Sequence, residues 1–83
     1  MSHDPDAEAG VVVEDARGLL CPIPVIKLAE RLAGVAPGEI VLLIADDPAA
    51  EEDVRLWCAG QRQEVVAVER EGDLARIRVR RVR

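Results

Sequence analysis

The sequence predicts an α/β (α+β) two-layer sandwich with the element order β-α-β-α-β-β: a four-stranded mixed sheet carrying two helices on one face. Three observations lead there. Two short apolar runs, Val11-Val12-Val13 and Ile40–Ala45, each precede a proline-marked segment whose apolar residues then recur at helical spacing. Residues 64–82 instead read as two extended runs joined through Glu71-Gly72-Asp73, the signature of a hairpin. A length of 83 residues leaves room for one such domain and no second.

Residues 1–9 are acidic, hold one proline and lack apolar periodicity, so they read as a disordered tail preceding a single domain over 10–83. Val11-Val12-Val13 is a β-branched strand that ends at the turn-like Asp15-Ala16-Arg17-Gly18. Pro22 and Pro24 suit the first turn of a helix, where the amide hydrogen that proline lacks would have no intrahelical partner. Cys21 then falls at or beside the N-cap. Val25, Leu28, Ala29 and Leu32 carry the helical spacing onward, and Gly34 supplies the stop.

Pro37-Gly38-Glu39 is a turn, and the continuously apolar Ile40–Ala45 is a strand expected to be buried on both sides. Asp46-Asp47-Pro48 repeats the helix-start signal, an Asp N-cap followed by proline, with Glu51, Glu52 and Asp53 near the positive end of the helix dipole. Val54, Trp57 and Cys58 share a face of that helix, which Gly60 is expected to close. Glu64–Arg70 and Leu74–Val82 complete the sheet as an antiparallel pair, whereas the first β-α-β unit should be parallel and right-handed. In the last strand Arg76, Arg78 and Arg80 alternate with Ile77 and Val79, placing a row of guanidiniums on the water-facing side.

Composition narrows the function. The chain has one aromatic residue, Trp57, which excludes a base-stacking nucleic-acid platform. Its one His and two Cys cannot supply a four-ligand N/S zinc site, and helix capping accounts for Asp46 and Asp47 before any metal does. No cofactor is called for. The net charge of −5 argues against general affinity for nucleic acid or an anionic membrane, and no apolar run approaches the ~20 residues that span a bilayer. The charge is uneven: residues 1–68 carry 5 Lys/Arg against 13 Asp/Glu, residues 69–83 carry 6 Arg against 3 acids. Met1-Ser2-His3-Asp4-Pro5-Asp6 has neither the basic nor the apolar region of a secretory signal. A cytoplasmic, reducing setting is expected, with free thiols rather than a Cys21–Cys58 disulfide. His3 reads as solvated.

Cys21 carries the chemistry. A thiol at a helix N-terminus faces unpaired amides and the positive dipole end, which lower its pKa below ~8.5. Pro22 and Pro24 remove two of those amides, tempering the effect while stiffening the mount. Gly18 lets the preceding turn form, and Arg17 adds positive charge if that turn folds back. Cys58, beside Trp57 on the apolar face of the second helix, reads as a small buried hydrophobe, and Trp57 as core.

The stretch Asp15-Ala16-Arg17-Gly18-Leu19-Leu20-Cys21-Pro22-Ile23-Pro24 resembles the Cys-Pro-x-Pro signature of the TusA/SirA-like sulfur-carrier proteins. Pro37-Gly38-Glu39, Ala45-Asp46-Asp47-Pro48-Ala49 and Cys58 match further family segments, so the resemblance covers essentially all of 10–83. It implies a persulfide on Cys21, received from a cysteine desulfurase or rhodanese-type donor and passed to the cysteine of an acceptor protein. The acceptor pathways it implies are tRNA thiolation, molybdenum-cofactor enzymes and sulfur oxidation. Two other readings of the residues stay open: a redox-sensing thiol protein using Cys21 with or without Cys58 as resolving thiol, and an interaction module without thiol chemistry. In either the carrier or the module, the Arg76/Arg78/Arg80 face is a candidate docking surface for an acidic partner.

Overall fold

The strand Ile40–Ala45 (β2) lies inside a four-stranded sheet of order β1-β2-β4-β3, formed with Val11–Asp15 (β1), Glu64–Glu71 (β3) and Leu74–Arg80 (β4). Helices Ile23–Ala33 (α1) and Ala50–Gln61 (α2) connect β1 to β2 and β2 to β3. The structure, a computed structural model, describes residues 10–83. The acidic segment 1–9 and His3 lie outside the described residues.

The mixed sheet and the β-α-β-α-β-β order are as the sequence predicts. β1 pairs parallel with β2, which pairs antiparallel with β4, and β4 pairs antiparallel with β3. β2 is central, and its Val41 to Ala45 are all buried, as a strand without alternation requires. Val41 and Leu43 join Ala75, Ile77 and Val79 of β4 in one core cluster with Leu28 and Leu32 of α1 and Val54 and Cys58 of α2. Both helices therefore cover the same face. The odd-spaced partners Leu42 and Ile44 point the other way, in register with Arg78 and Arg76.

Several boundaries differ from expectation, each for a local reason. α2 passes through Gly60 and closes only at Arg62, which takes the left-handed conformation (φ 57°). The Gln63 amide then reaches the Cys58 carbonyl at 2.9 Å, so Arg62, rather than a glycine, provides the turn. Neither Asp46 nor Asp47 is the N-cap of α2. That position belongs to Ala49, because Pro48-Ala49 form one further turn in which the Ala50 amide bonds the Asp47 carbonyl at 3.0 Å. The acids are freed for other partners, described below. Trp57 is only partly buried, packed against the core from the seam between α1 and α2. β4 ends at Arg80, although the Arg81 amide still donates to the Glu39 carbonyl at 2.9 Å, and the Arg81 guanidinium donates to the carbonyls of Ala33 (3.3 Å), the last residue of α1, and of Val35 just beyond it. Glu71 pairs with Leu74, leaving Gly72-Asp73 as a two-residue hairpin loop with Gly72 at φ 60°.

Leu43 sits between the layers with no exposed surface. Leu43→Ala should lower unfolding free energy by about 2–5 kcal/mol in a urea titration, the range for large-to-small changes in a packed core. A loss below ~1 kcal/mol would mean that the two layers are not packed as described.

Candidate functional site

Because β1 and β2 are parallel and each runs into a helix, the β1–α1 and β2–α2 loops meet at one edge of the sheet. The first loop opens with a tight turn in which the Leu19 amide bonds the Ala16 carbonyl at 3.2 Å. Gly18 occupies its third position at φ 80°, a conformation that strains residues with a Cβ. Arg17 is paired with the acid two residues before it. Its guanidinium forms a two-pronged pair with Asp15, Nη2 to Oδ2 at 2.7 Å and Nε to Oδ1 at 3.0 Å.

The second loop clamps the first. Asp46 accepts the Gly18 amide on both carboxylate oxygens, at 3.0 and 3.1 Å. Asp47 accepts the Cys21 amide on Oδ2 at 2.5 Å and the Ala49 amide on Oδ1 at 3.0 Å. Cys21 immediately precedes Pro22, the N-cap of α1, through a cis peptide bond. Pro24, at the second helical position, is buried, whereas Pro22 is exposed. One proline thus anchors the helix start in the core and the other leaves the loop open to solvent.

Cys21 is partly exposed and lines none of three surface concavities, which lie beside α1, beside α2 and at the far end of the helix seam. Its nearest exposed apolar neighbours in the chain are Leu20, Ile23 and Ile26, of which Leu20 is 74% exposed. Among the described residues, no group of three or more His, Cys, Asp or Glu is placed to hold a metal ion.

The electrostatics of the thiol reverse the expected direction. Cys21 Sγ donates a hydrogen bond to Asp53 Oδ2, from the first turn of α2. That bond, then burial, then the negative charges of Asp53 and Asp47 push the Cys21 thiol up to about 11. The α1 N-terminus does not set the thiol's ionisation. The Ile23 amide there is already bonded to the Leu20 carbonyl at 2.9 Å, and Pro22 and Pro24 have none to give. Asp53 was legible only as a dipole-favoured acid. The parallel β1–β2 pair was the available signal that α2's first turn would face the thiol.

Cys58 is a free thiol within the core, and desolvation pushes it up to about 11 as well. Use as a resolving thiol would require extracting it from between the layers. The arginine row, too, differs from expectation. The antiparallel register brings acids of β3 onto the same face, so Arg80 pairs with Glu64 at 2.6 Å, Arg78 with Glu69, and Arg76 with Glu71 at 4.0 Å. The face is a ladder of mixed charge and not a surplus of positive charge.

The clamp should show in acid. Asp47 is held below its ordinary value of 3.8 by the Ala49 amide and then the Cys21 amide. With the folded pKa depressed, the stabilisation is complete above the ordinary value and is lost as pH falls through the depressed one. Asp47→Asn should therefore lower the urea midpoint at neutral pH and flatten its decline in acid. Some decline should remain, since Asp15 and Glu51 are shifted the same way. An unchanged acid profile would show that the clamp contributes nothing.

No helix among the described residues is long and apolar enough to cross a membrane. A crystal structure of a SirA-like protein from Desulfitobacterium hafniense superposes with a TM-score of 0.75, covering 87% of this chain and 99% of that one at 22% identity. It shares the fold. The family description Sulfurtransferase TusA matches residues 13–81, from β1 through the clamped cysteine loop to the end of β4, and on that match the chain belongs to the TusA sulfurtransferase family.

Proposed function

We propose that the protein is a sulfur carrier that holds sulfane sulfur as a persulfide on Cys21. The donor is a cysteine desulfurase or rhodanese-type enzyme, and the acceptor is a cysteine of another sulfur-relay protein. The observation that carries this reading is the mount of the thiol: partly exposed, on a loop fixed by two carboxylate clamps and a buried proline, outside any of the three concavities. A carrier must present the same sulfur to two different proteins. An open, rigid ledge serves that, because a preset geometry lowers the cost of reaching the attack position in each encounter.

The step is a thiol exchange on sulfur. A bond forms between Cys21 Sγ and the terminal sulfur of the donor persulfide, and the bond between that sulfur and the donor cysteine breaks. The Cys21 proton is lost and the departing donor thiolate gains one, so thiol plus persulfide gives persulfide plus thiol with no net oxidation. Handing on repeats the exchange with the carrier as donor. Exposed Leu20, Ile23 and Ile26, near the thiol in the chain, offer apolar contact area for a partner. The acceptor pathways this reading admits are tRNA thiolation, molybdenum-cofactor enzymes and sulfur oxidation.

Incubation with a cysteine desulfurase and cysteine, followed by intact-mass spectrometry, tests the reading. The expected product is a reducible gain of one sulfur atom, abolished in Cys21→Ser and retained in Cys58→Ser. Equal loading of Cys21→Ser and the unaltered chain would overturn it.

A further inference from the structure

We propose that Asp53 is a positioning residue that keeps Cys21 a protonated thiol in the free protein, and that a sulfur donor relieves this hold with a cationic side chain of its own. The second half rests on the carrier reading above; the first does not.

Three observations converge on Asp53. Its Oδ2 accepts the hydrogen bond from Cys21 Sγ, an interaction that only the protonated thiol can make. It stands in the first turn of α2, where the helix dipole favours a carboxylate. And among the described residues the charges that act on the thiol from the packed elements are those of Asp53 of α2 and Asp47 of the β2–α2 loop, both negative. Arg17, on the thiol's own loop, pairs with Asp15. A thiolate formed here would lose a hydrogen bond and meet two carboxylates, and the thiol is accordingly raised to about 11.

The consequence is selectivity. Only the thiolate attacks, so a free carrier with this arrangement reacts slowly with stray electrophiles and oxidants. A guanidinium or ammonium group placed against Asp53 by a docked donor removes both the acceptor and the negative charge. The thiol then ionises where the donor persulfide waits. The exchange is balanced as above: the Cys21 proton leaves, and the departing donor sulfur takes one up.

The size of the effect follows from the shift. Returning Cys21 the whole way from about 11 to its ordinary 9.0 would raise the thiolate fraction near pH 8 about a hundredfold, but burial and Asp47 keep part of that shift when Asp53 alone is neutralised. A less basic thiolate is also less nucleophilic, with a Brønsted coefficient of ~0.5, so about tenfold is the ceiling on the gain in rate.

Iodoacetamide alkylation of the free protein, read at Cys21 by peptide mass across pH 7–11, tests the first half without any sulfur donor. Asp53→Asn should lower the midpoint of the profile and raise the rate at pH 8 severalfold, with about tenfold as the upper bound. Asp53→Glu, which keeps the carboxylate, should stay near the unaltered profile, and Asp53→Ser carries the same expectation as Asn if the latter does not fold. Superimposable profiles for the neutral variants and the unaltered chain would overturn the role. Donor-driven loading tests the second half. The unaltered chain should load from the desulfurase at a rate within about twofold of Asp53→Asn, because the donor already relieves the hold. A gain in donor-driven loading as large as the gain in alkylation would refute relief by the donor. If neither protein takes up sulfur, the carrier reading fails while the alkylation profiles still decide the role of Asp53.

Discussion

The carboxylate of Asp47 accepts two backbone amides at once, from Cys21 at 2.5 Å and from Ala49 at 3.0 Å. These amides belong to the two loops that launch the two helices, 26 residues apart in one case and two in the other. One side chain therefore fixes the start of α1 relative to the start of α2. Asp46 reinforces it through Gly18. The position of the thiol, the approach of Asp53 and the packing of Pro24 all presuppose this junction. Amide-to-carboxylate bonds are about twice as strong as neutral ones, which suits them to holding an irregular loop that has no ladder of its own.

The same junction sets the electrostatic character of the edge. Parallel β1 and β2 direct both helix N-termini toward it, and two dipoles there invite negative charge. The chain answers with Asp46, Asp47 and Asp53 rather than with the thiolate. Carboxylates, far more acidic than a thiol, take the anionic role, and Cys21 is left as the hydrogen-bond donor among them. A helix start therefore does not by itself activate a cysteine; what else occupies the dipole end decides the matter.

Much of this was legible in the sequence, and the misses share a cause. The order of elements, the buried β2 and the hairpin at Gly72 follow from periodicity and turn chemistry, which are local. Pro22 and Pro24 likewise announced the helix start beside Cys21. What failed was non-local. The pairing of Arg76, Arg78 and Arg80 with Glu71, Glu69 and Glu64 depends on strand register. The Asp53–Cys21 contact depends on two loops meeting across 32 residues. Arg81's hold on the end of α1 spans still more of the chain. Asp46 and Asp47 read locally as helix-start residues while their partners include the other loop, because a capping pattern and a clamp use the same residue type.

The lone tryptophan acquires a use from its position. Trp57 lies with Ala29, Leu32 and Ala33 at the seam between α1 and α2, one helical turn after Asp53, whose carboxylate accepts the Cys21 hydrogen bond. Its indole is the chain's single strong fluorophore, so emission from the unlabelled protein reports one place, the seam between the helices. A spectral change on meeting another protein would therefore register a disturbance of the helical layer at that seam, one turn from the carboxylate that holds the thiol.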